Sequence, residues 1–175
     1  MKKYNHVFGR LSKLAYAILA AVLLMACGKE KSYKMQLAML PNFDVPVITI
    51  DRLAKLIKEE SDLVILDTRA KEEYVVSHLQ NARFVDYDNF KLADVKDIDK
   101  NKTVVVYCSI GYRSGKVGQK LMEAGYTKVY NLDGGILDWK NKGQEVYNPI
   151  GVPTDSVHTY NKHWSKYLTR GVAVY

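Results

Sequence analysis

The chain has 175 residues, 47% of them hydrophobic and 26% charged, with 26 Lys and Arg against 19 Asp and Glu for a net charge of +7. Four of the basic residues, Lys2, Lys3, Arg10 and Lys13, lie in the first thirteen positions, and no acid occurs before Glu30; without those four the balance is 22 to 19, so the positive excess belongs largely to the N-terminal stretch. What remains shows no basic stripe interleaved with aromatics, which argues against nucleic acid as a partner.

In chain order, the four basic residues lead into an apolar run from Leu14 to Ala26. A positive segment followed by a short apolar one is the layout of a secretory signal. Thirteen residues fall short of the about 20 that span a bilayer. The run closes on Leu24-Met25-Ala26-Cys27-Gly28, which resembles the lipobox of bacterial lipoproteins. That resemblance implies a signal peptide over residues 1–26, lipidation of Cys27, and a membrane-anchored place in the cell envelope, periplasmic or surface-facing. A plain signal peptide cleaved nearby, or a buried N-terminal helix, is the alternative. Residues 27–45 read as a tether, polar from Lys29 to Lys34 and irregular from Pro41 to Pro46. Its apolar residues Met35, Leu37, Met39 and Leu40 leave open that it packs on the domain instead.

Strand and helix patterns then alternate over residues 46–147. Thr49 or Asp51 caps a short helix with Leu53, Leu56 and Ile57 on its apolar face. Leu63 to Leu66 is a buried-strand run ending at Asp67, Lys71 to Val76 is helical with Tyr74 inward, and Ala82 to Val85 is a short strand. Asp88 to Asp99 reads as a solvated helix or loop. Val104 to Tyr107 is the next strand, a helix follows from Ser114 and stops at Gly125, and Val129-Tyr130 and a helix around Ile136 to Asn141 complete the series. Such alternation predicts an α/β domain with a parallel sheet, and roughly 100 residues suffice for one core. Ligands of such sheets bind beyond the carboxyl ends of the strands, where Cys108 and Asp67 both fall.

The stretch Cys108-Ser109-Ile110-Gly111-Tyr112-Arg113-Ser114 carries the chemistry. A strand, a tight loop and a helix N-terminus enclose one thiol, and converging loop amides together with a helix dipole favour an anion. A cysteine held there is expected to ionise more readily than a free one, and Arg113 adds a charge that does not titrate. A cysteine after a valine run is more often a small core residue, but Gly111, Arg113, Ser114 and Gly115 serve no inert thiol. The chain has two cysteines. With Cys27 lipidated, Cys108 has no internal disulfide partner, which marks it as a reactive thiol and excludes a self-contained dithiol cycle.

Cys108 to Arg113 resembles the six-residue active-site loop of the rhodanese-like family, the single-domain sulfurtransferase type. The likeness extends to Val64-Ile65-Leu66-Asp67-Thr68-Arg69 with Glu72-Glu73-Tyr74 and His78-Leu79-Gln80-Asn81-Ala82. It extends also to Asn131-Leu132-Asp133-Gly134-Gly135 with Trp139 and Gly143. Ser77 and Asn81 stand where the family usually has Gly. The resemblance implies a rhodanese-like α/β fold, its parallel sheet flanked by helices on both faces. It implies transfer of a sulfane sulfur from a donor such as thiosulfate to a thiol or cyanide through a Cys108 persulfide. The amides of Ser109, Ile110, Gly111, Tyr112, Arg113 and Ser114 would hold the anions, Arg113 would offer the donor a bidentate fork, and Asp67 and Arg69 would brace the loop. No cofactor and no metal is implied. A membrane-tethered sulfur-relay or protein-binding module is the second reading. A cysteine-dependent phosphatase is the third, disfavoured because four residues rather than five separate Cys108 from Arg113.

Residues 148–175 extend beyond the family pattern. Pro149, Gly151 and Pro153 make an extended joint, and Trp164 and Leu168 are spaced for one helical face. A C-terminal helix packed on the domain is expected there, with a partner-binding tail as the alternative. His158 and His163 are five apart, which is not a chelating pair on one helix face.

Overall fold

A computed structural model describes residues 28, 30–41 and 43–175, which fall into two units divided after Met39. Cys27 and the expected signal segment lie outside the described residues. In the first unit residues 30–38 are helical, with Glu30 and Lys34 paired one turn apart at 2.7 Å. The expected tether is therefore regular over this stretch, because Glu, Lys, Met, Gln, Leu and Ala are all strong helix formers. Among the described residues no helix is long and apolar enough to cross a membrane.

The second unit is built on five parallel strands: β1 (Val47–Ile48), β2 (Leu63–Asp67), β3 (Arg83–Phe84), β4 (Thr103–Tyr107) and β5 (Lys128–Leu132). Their order in the sheet is β1-β5-β4-β2-β3. The Val104-Val105-Val106 run lies at its centre, between β2 and β5, where both faces are covered and every residue is apolar. Alternation along β4 divides the core. Val105 and Tyr107 face Leu53 and Leu56 of α1 (Ile50–Glu59) and Ile136 and Leu137 of α4 (Gly135–Asn141). Val104 and Val106 face Val117 and Leu121 of α3 (Tyr112–Glu123). Helices thus cover both faces, as the resemblance implies, and the sheet is parallel, as the alternating pattern predicts.

Local chemistry sets the ends of these elements. Thr49 caps α1, its Oγ1 accepting from the Arg52 N–H at 3.3 Å. Asn81 adopts a left-handed φ of 57°, which Asn tolerates, and Ser77 is extended at φ −170°, where a side chain costs nothing. Both positions therefore work without the family's Gly. The stretch read as solvated between Asp88 and Asp99 is less open than its composition suggests. It forms a 3-10 turn at Leu92–Val95 and buries Phe90, Val95 and Ile98 beside α3. Phe43 and Val45 also pack on that side, touching the positions of Gly115 and Gly118 on α3.

The C-terminal residues are not the single helix expected. They form β6 (Val146–Tyr147) paired antiparallel with β7 (Pro153–Thr154), and β8 (Ser156–His158) paired parallel with β9 (Val172–Val174). Between them lies a short helix, α5 (Lys162–Ser165), capped by Asn161. Trp164 and Leu168 do pack against the core, as their spacing predicts.

Candidate active site

β2 and β4 end in register, Asp67 opposite Tyr107, and the chain leaves β4 directly into Cys108. The thiol is buried, 1% exposed. Gly111 turns the backbone with φ 109°, a value that suits glycine, and its N–H donates to Cys108 Sγ at 3.1 Å. α3 begins at the next residue. Its first intrahelical bond is Gly115 N–H to the Gly111 carbonyl, 3.0 Å, so the amides of Tyr112, Arg113 and Ser114 precede the helical ladder. The positive end of the helix dipole lies at the loop.

Neighbouring elements hold the loop in this shape. Asn131 Nδ2 donates to the Gly111 carbonyl at 2.9 Å, and the Ser114 hydroxyl donates to Asn131 Oδ1 at 2.7 Å. From α4, the Ile136 N–H donates to the Cys108 carbonyl at 2.9 Å and the Leu137 N–H to the Ser109 carbonyl at 3.3 Å. Ile110 packs on the core face that contains Tyr107, and Tyr112 meets Phe43 edge to face at 5.5 Å.

Arg113 is not free to offer its fork to a donor. Its Nη1 donates to Glu73 Oε2 at 2.6 Å and its Nη2 to Glu73 Oε1 at 2.8 Å and Ser109 Oγ at 3.0 Å. Ser109 Oγ donates in turn to Glu73 Oε1 at 2.9 Å, and the Ala70 N–H to Oε2 at 3.0 Å. Burial works to raise the Glu73 pKa, but the hydrogen bond and charge of Arg113 outweigh it and hold the carboxyl below its ordinary value. Against the opposing effect of burial, Glu73 and the neighbouring Cys108 charge raise Arg113. The physical reason for the departure is α2 (Lys71–Val76), which sets Glu73 rather than Tyr74 at its most buried position.

Asp67 and Arg69 are fully buried partners. Arg69 Nε donates to Asp67 Oδ1 at 2.9 Å and Nη2 to Oδ2 at 2.7 Å, while Nη2 also reaches the Ser77 carbonyl at 2.6 Å. The Tyr107 hydroxyl donates to Asp67 Oδ2 and accepts from the Leu79 N–H at 3.1 Å. Burial, with the Asp67 charge, pushes that hydroxyl well above its ordinary pKa. Asp67 and Arg69, joined to β4 through Tyr107, lock the strand ends beside Cys108, and Glu73 braces the loop together with Asn131 and the start of α4.

Sequence reasoning assigned no role at the site to three participants, although Glu73 stands within the stretch that carries the resemblance. Glu73 resembles a surface acid in a charged helix, and only its place four residues after Arg69, beside a strand end, hints otherwise. Tyr107 is hidden within an apolar run. Tyr160, from the C-terminal extension, lies with its ring centroid 5.0 Å from Arg113 Cζ. Among the described residues no group of three or more His, Cys, Asp and Glu is placed to hold a metal ion.

A family model described as the rhodanese-like domain matches residues 49–142. The tRNA uridine(34) hydroxylase of Yersinia pestis is 32% identical over 97 residues, which is 53% of this chain and 27% of that protein. The chain thus spans about a quarter of the length of that relative. Among solved structures, the BH2092 protein of Bacillus halodurans superposes with a TM-score of 0.55 at 26% identity, over 61% of this chain and 79% of its own. A thiosulfate sulfurtransferase of Pseudomonas aeruginosa superposes with a TM-score of 0.54 at 25% identity, over 62% of this chain and 21% of its own.

Proposed function

Because the chain belongs to the rhodanese-like domain family, we propose that it is a sulfurtransferase whose carrier is a Cys108 persulfide. The observation that carries this reading is the Gly111 N–H set on Cys108 Sγ at the head of α3, an arrangement that favours a sulfur anion. In the first half-reaction the Cys108 thiolate attacks the outer sulfur of thiosulfate. The S–S bond of the donor breaks, sulfite leaves with the electron pair, and Cys108 carries the persulfide. In the second, cyanide or a thiolate attacks the terminal sulfur, and the Cys108 thiolate departs as leaving group. The loop amides and the helix N-terminus hold the anions. Arg113, engaged by Glu73, fixes the loop and contributes charge rather than a fork to the donor.

The solved sulfurtransferase of Pseudomonas aeruginosa supports the reaction class. The hydroxylase activity named for the Yersinia relative is not carried over, since the shared stretch is 27% of that protein. Lipidation at Cys27 belongs to the same proposal and rests on the sequence Leu24 to Gly28. Replacing Cys27 with Ser in the producing cell should leave the precursor unprocessed; normal maturation of that variant would remove the anchor.

Intact mass spectrometry tests the chemistry. Incubation with thiosulfate should add the mass of one sulfur atom at Cys108, and cyanide or dithiothreitol should remove it, whereas sulfinic acid would resist both. Cys108→Ser should show no change. If thiosulfate leaves Cys108 unmodified while a phosphate ester is hydrolysed, the sulfurtransferase reading falls to the phosphatase one.

A further inference from the structure

The segment from Asn148 onward lies beyond the stretch shared with the family, yet it reaches the surroundings of the thiol. We propose, resting on the sulfurtransferase reading, that Tyr160 is a specificity-determining residue of this site: a steric screen at the mouth above Cys108 that favours compact inorganic sulfur donors over donors with a bulky organic group.

Exposure rises along the chain of contacts that runs from the thiol loop through Ser109 and Arg113 to Tyr160. Cys108 is 1% exposed, the Arg113 side chain bonded to its neighbour Ser109 is 15% exposed, and Tyr160, on the face of that guanidinium, is 55% exposed. The Tyr160 ring is thus the outermost member of a stack that begins at the thiol loop. A donor of a few atoms passes beside such a ring, while one bearing an aromatic group meets it.

The backbone that carries the ring is held by built structure. Its backbone adopts a left-handed φ of 69°, uncommon for an aromatic residue, which ends β8 and redirects the chain at this point. On one side the Tyr160 N–H donates to His158 Nδ1 at 3.2 Å, and the buried Thr159 N–H donates to the Val174 carbonyl at 2.8 Å. On the other, the Asn161 side chain caps α5, accepting from the His163 N–H at 2.9 Å. β8 is in turn fixed to α2, the helix that carries Glu73, by the Ser77 hydroxyl donating to the Ser156 carbonyl at 2.6 Å. Such a support fixes the point from which the ring projects beside Arg113.

The purified protein, with Tyr160→Ala and Tyr160→Phe beside it, tests the proposal with two donors, thiosulfate and benzenethiosulfonate. The latter transfers the same sulfur and releases benzenesulfinate in place of sulfite. The ratio of kcat/KM for benzenethiosulfonate over thiosulfate should rise about tenfold in Tyr160→Ala and stay at the wild-type ratio in Tyr160→Phe. A second arm needs no sulfur chemistry: alkylation of Cys108 by iodoacetamide and by N-phenylmaleimide, read by peptide mass at a pH where the thiol is ionised. There the large-over-small rate ratio should also rise about tenfold in the alanine variant. An unchanged ratio in either arm, or equal acceleration of both reagents as general loosening would produce, overturns the screen. If neither donor modifies wild-type Cys108, the sulfurtransferase reading fails by itself, and the alkylation arm still decides the role of Tyr160.

Discussion

A carboxylate buried as deeply as that of Glu73 survives only if it is paired, and here it receives two bonds from Arg113, one from Ser109 and one from the Ala70 amide. Removing it strands a guanidinium in a largely dry site, so Glu73→Ala should lower unfolding free energy by about 3 kcal/mol, read from the urea midpoint. The pH dependence follows from its depressed pKa. Its contribution is fully present above the unfolded value of about 4.3 and is lost as pH falls through the lower folded value. The wild type should therefore lose stability below about pH 4.3 more steeply than Glu73→Gln, which has no carboxyl to protonate. Parallel slopes for the two proteins would remove Glu73 as the source. Tyr107→Phe probes the other buried lock. It strips Asp67 of one donor and the Leu79 N–H of its acceptor, at a cost of about 1–3 kcal/mol in the same measurement.

The elements meet at Cys108 because α4 docks its N-terminus onto the loop, and Gly135 decides whether it can. Its φ is +57°, and a Cβ there would stand 2.4 Å from the Cys108 carbonyl and 2.7 Å from the Ser109 carbonyl. Gly135→Ala must push α4 off the loop, so it should both destabilise the protein and abolish sulfur uptake at Cys108. Gly151 is the control: its φ is +77°, but nothing lies within 4 Å of an added Cβ. Gly151→Ala should cost about 1 kcal/mol of backbone strain and leave sulfur uptake intact. Equal effects from the two would mean that the close approach at Gly135 is not what matters. This contrast also marks what the sequence makes legible. The β-branched run before Cys108, the Gly at 111 and the helical spacing of Val117 and Leu121 are local signals, and they read correctly. The Glu73–Arg113 pair spans 40 residues and the Tyr160–Arg113 contact 47, and no local pattern distinguishes such partners from solvated side chains. The polar stretch from Asp88 to Asp99 is solvated at most positions, as read, and only Phe90, Val95 and Ile98 depart, buried against a helix encoded later in the chain.

At the scale of the whole molecule the C-terminal residues complete the domain. Val157 and Thr159 are fully buried and Tyr167 nearly so, and Trp164 and Leu168 pack against the core cluster to which α1 and α4 contribute. Polar bonds stitch the same segment down: Asn141 Nδ2 donates to the Tyr167 carbonyl at 2.8 Å, the Thr169 N–H donates to Asn141 Oδ1 at 2.6 Å, and Lys140 reaches Asp155 at 2.8 Å. The Lys140–Asp155 pair contributes little, because Asp155 is exposed. The apolar contacts contribute far more, at about 1.5–3 kcal/mol for each large side chain fully buried. Losing several of them together approaches the about 5–15 kcal/mol that holds a typical domain folded. A chain ending at Tyr147 retains the entire stretch shared with the family, and family membership alone predicts that it folds as well as the full chain. The packing predicts the opposite. Such a fragment should lose its cooperative urea transition or shift it to markedly lower denaturant, with the amides of α1 and α4 losing hydrogen-exchange protection first, because their covered face becomes open. Val157→Ala, which removes one buried side chain and leaves the chain length unchanged, should give a smaller shift in the same direction. An unshifted midpoint in the truncated protein would show that residues 148–175 lie on the domain without supporting it, and protection confined to the sheet centre in both proteins would place the stabilising contacts elsewhere.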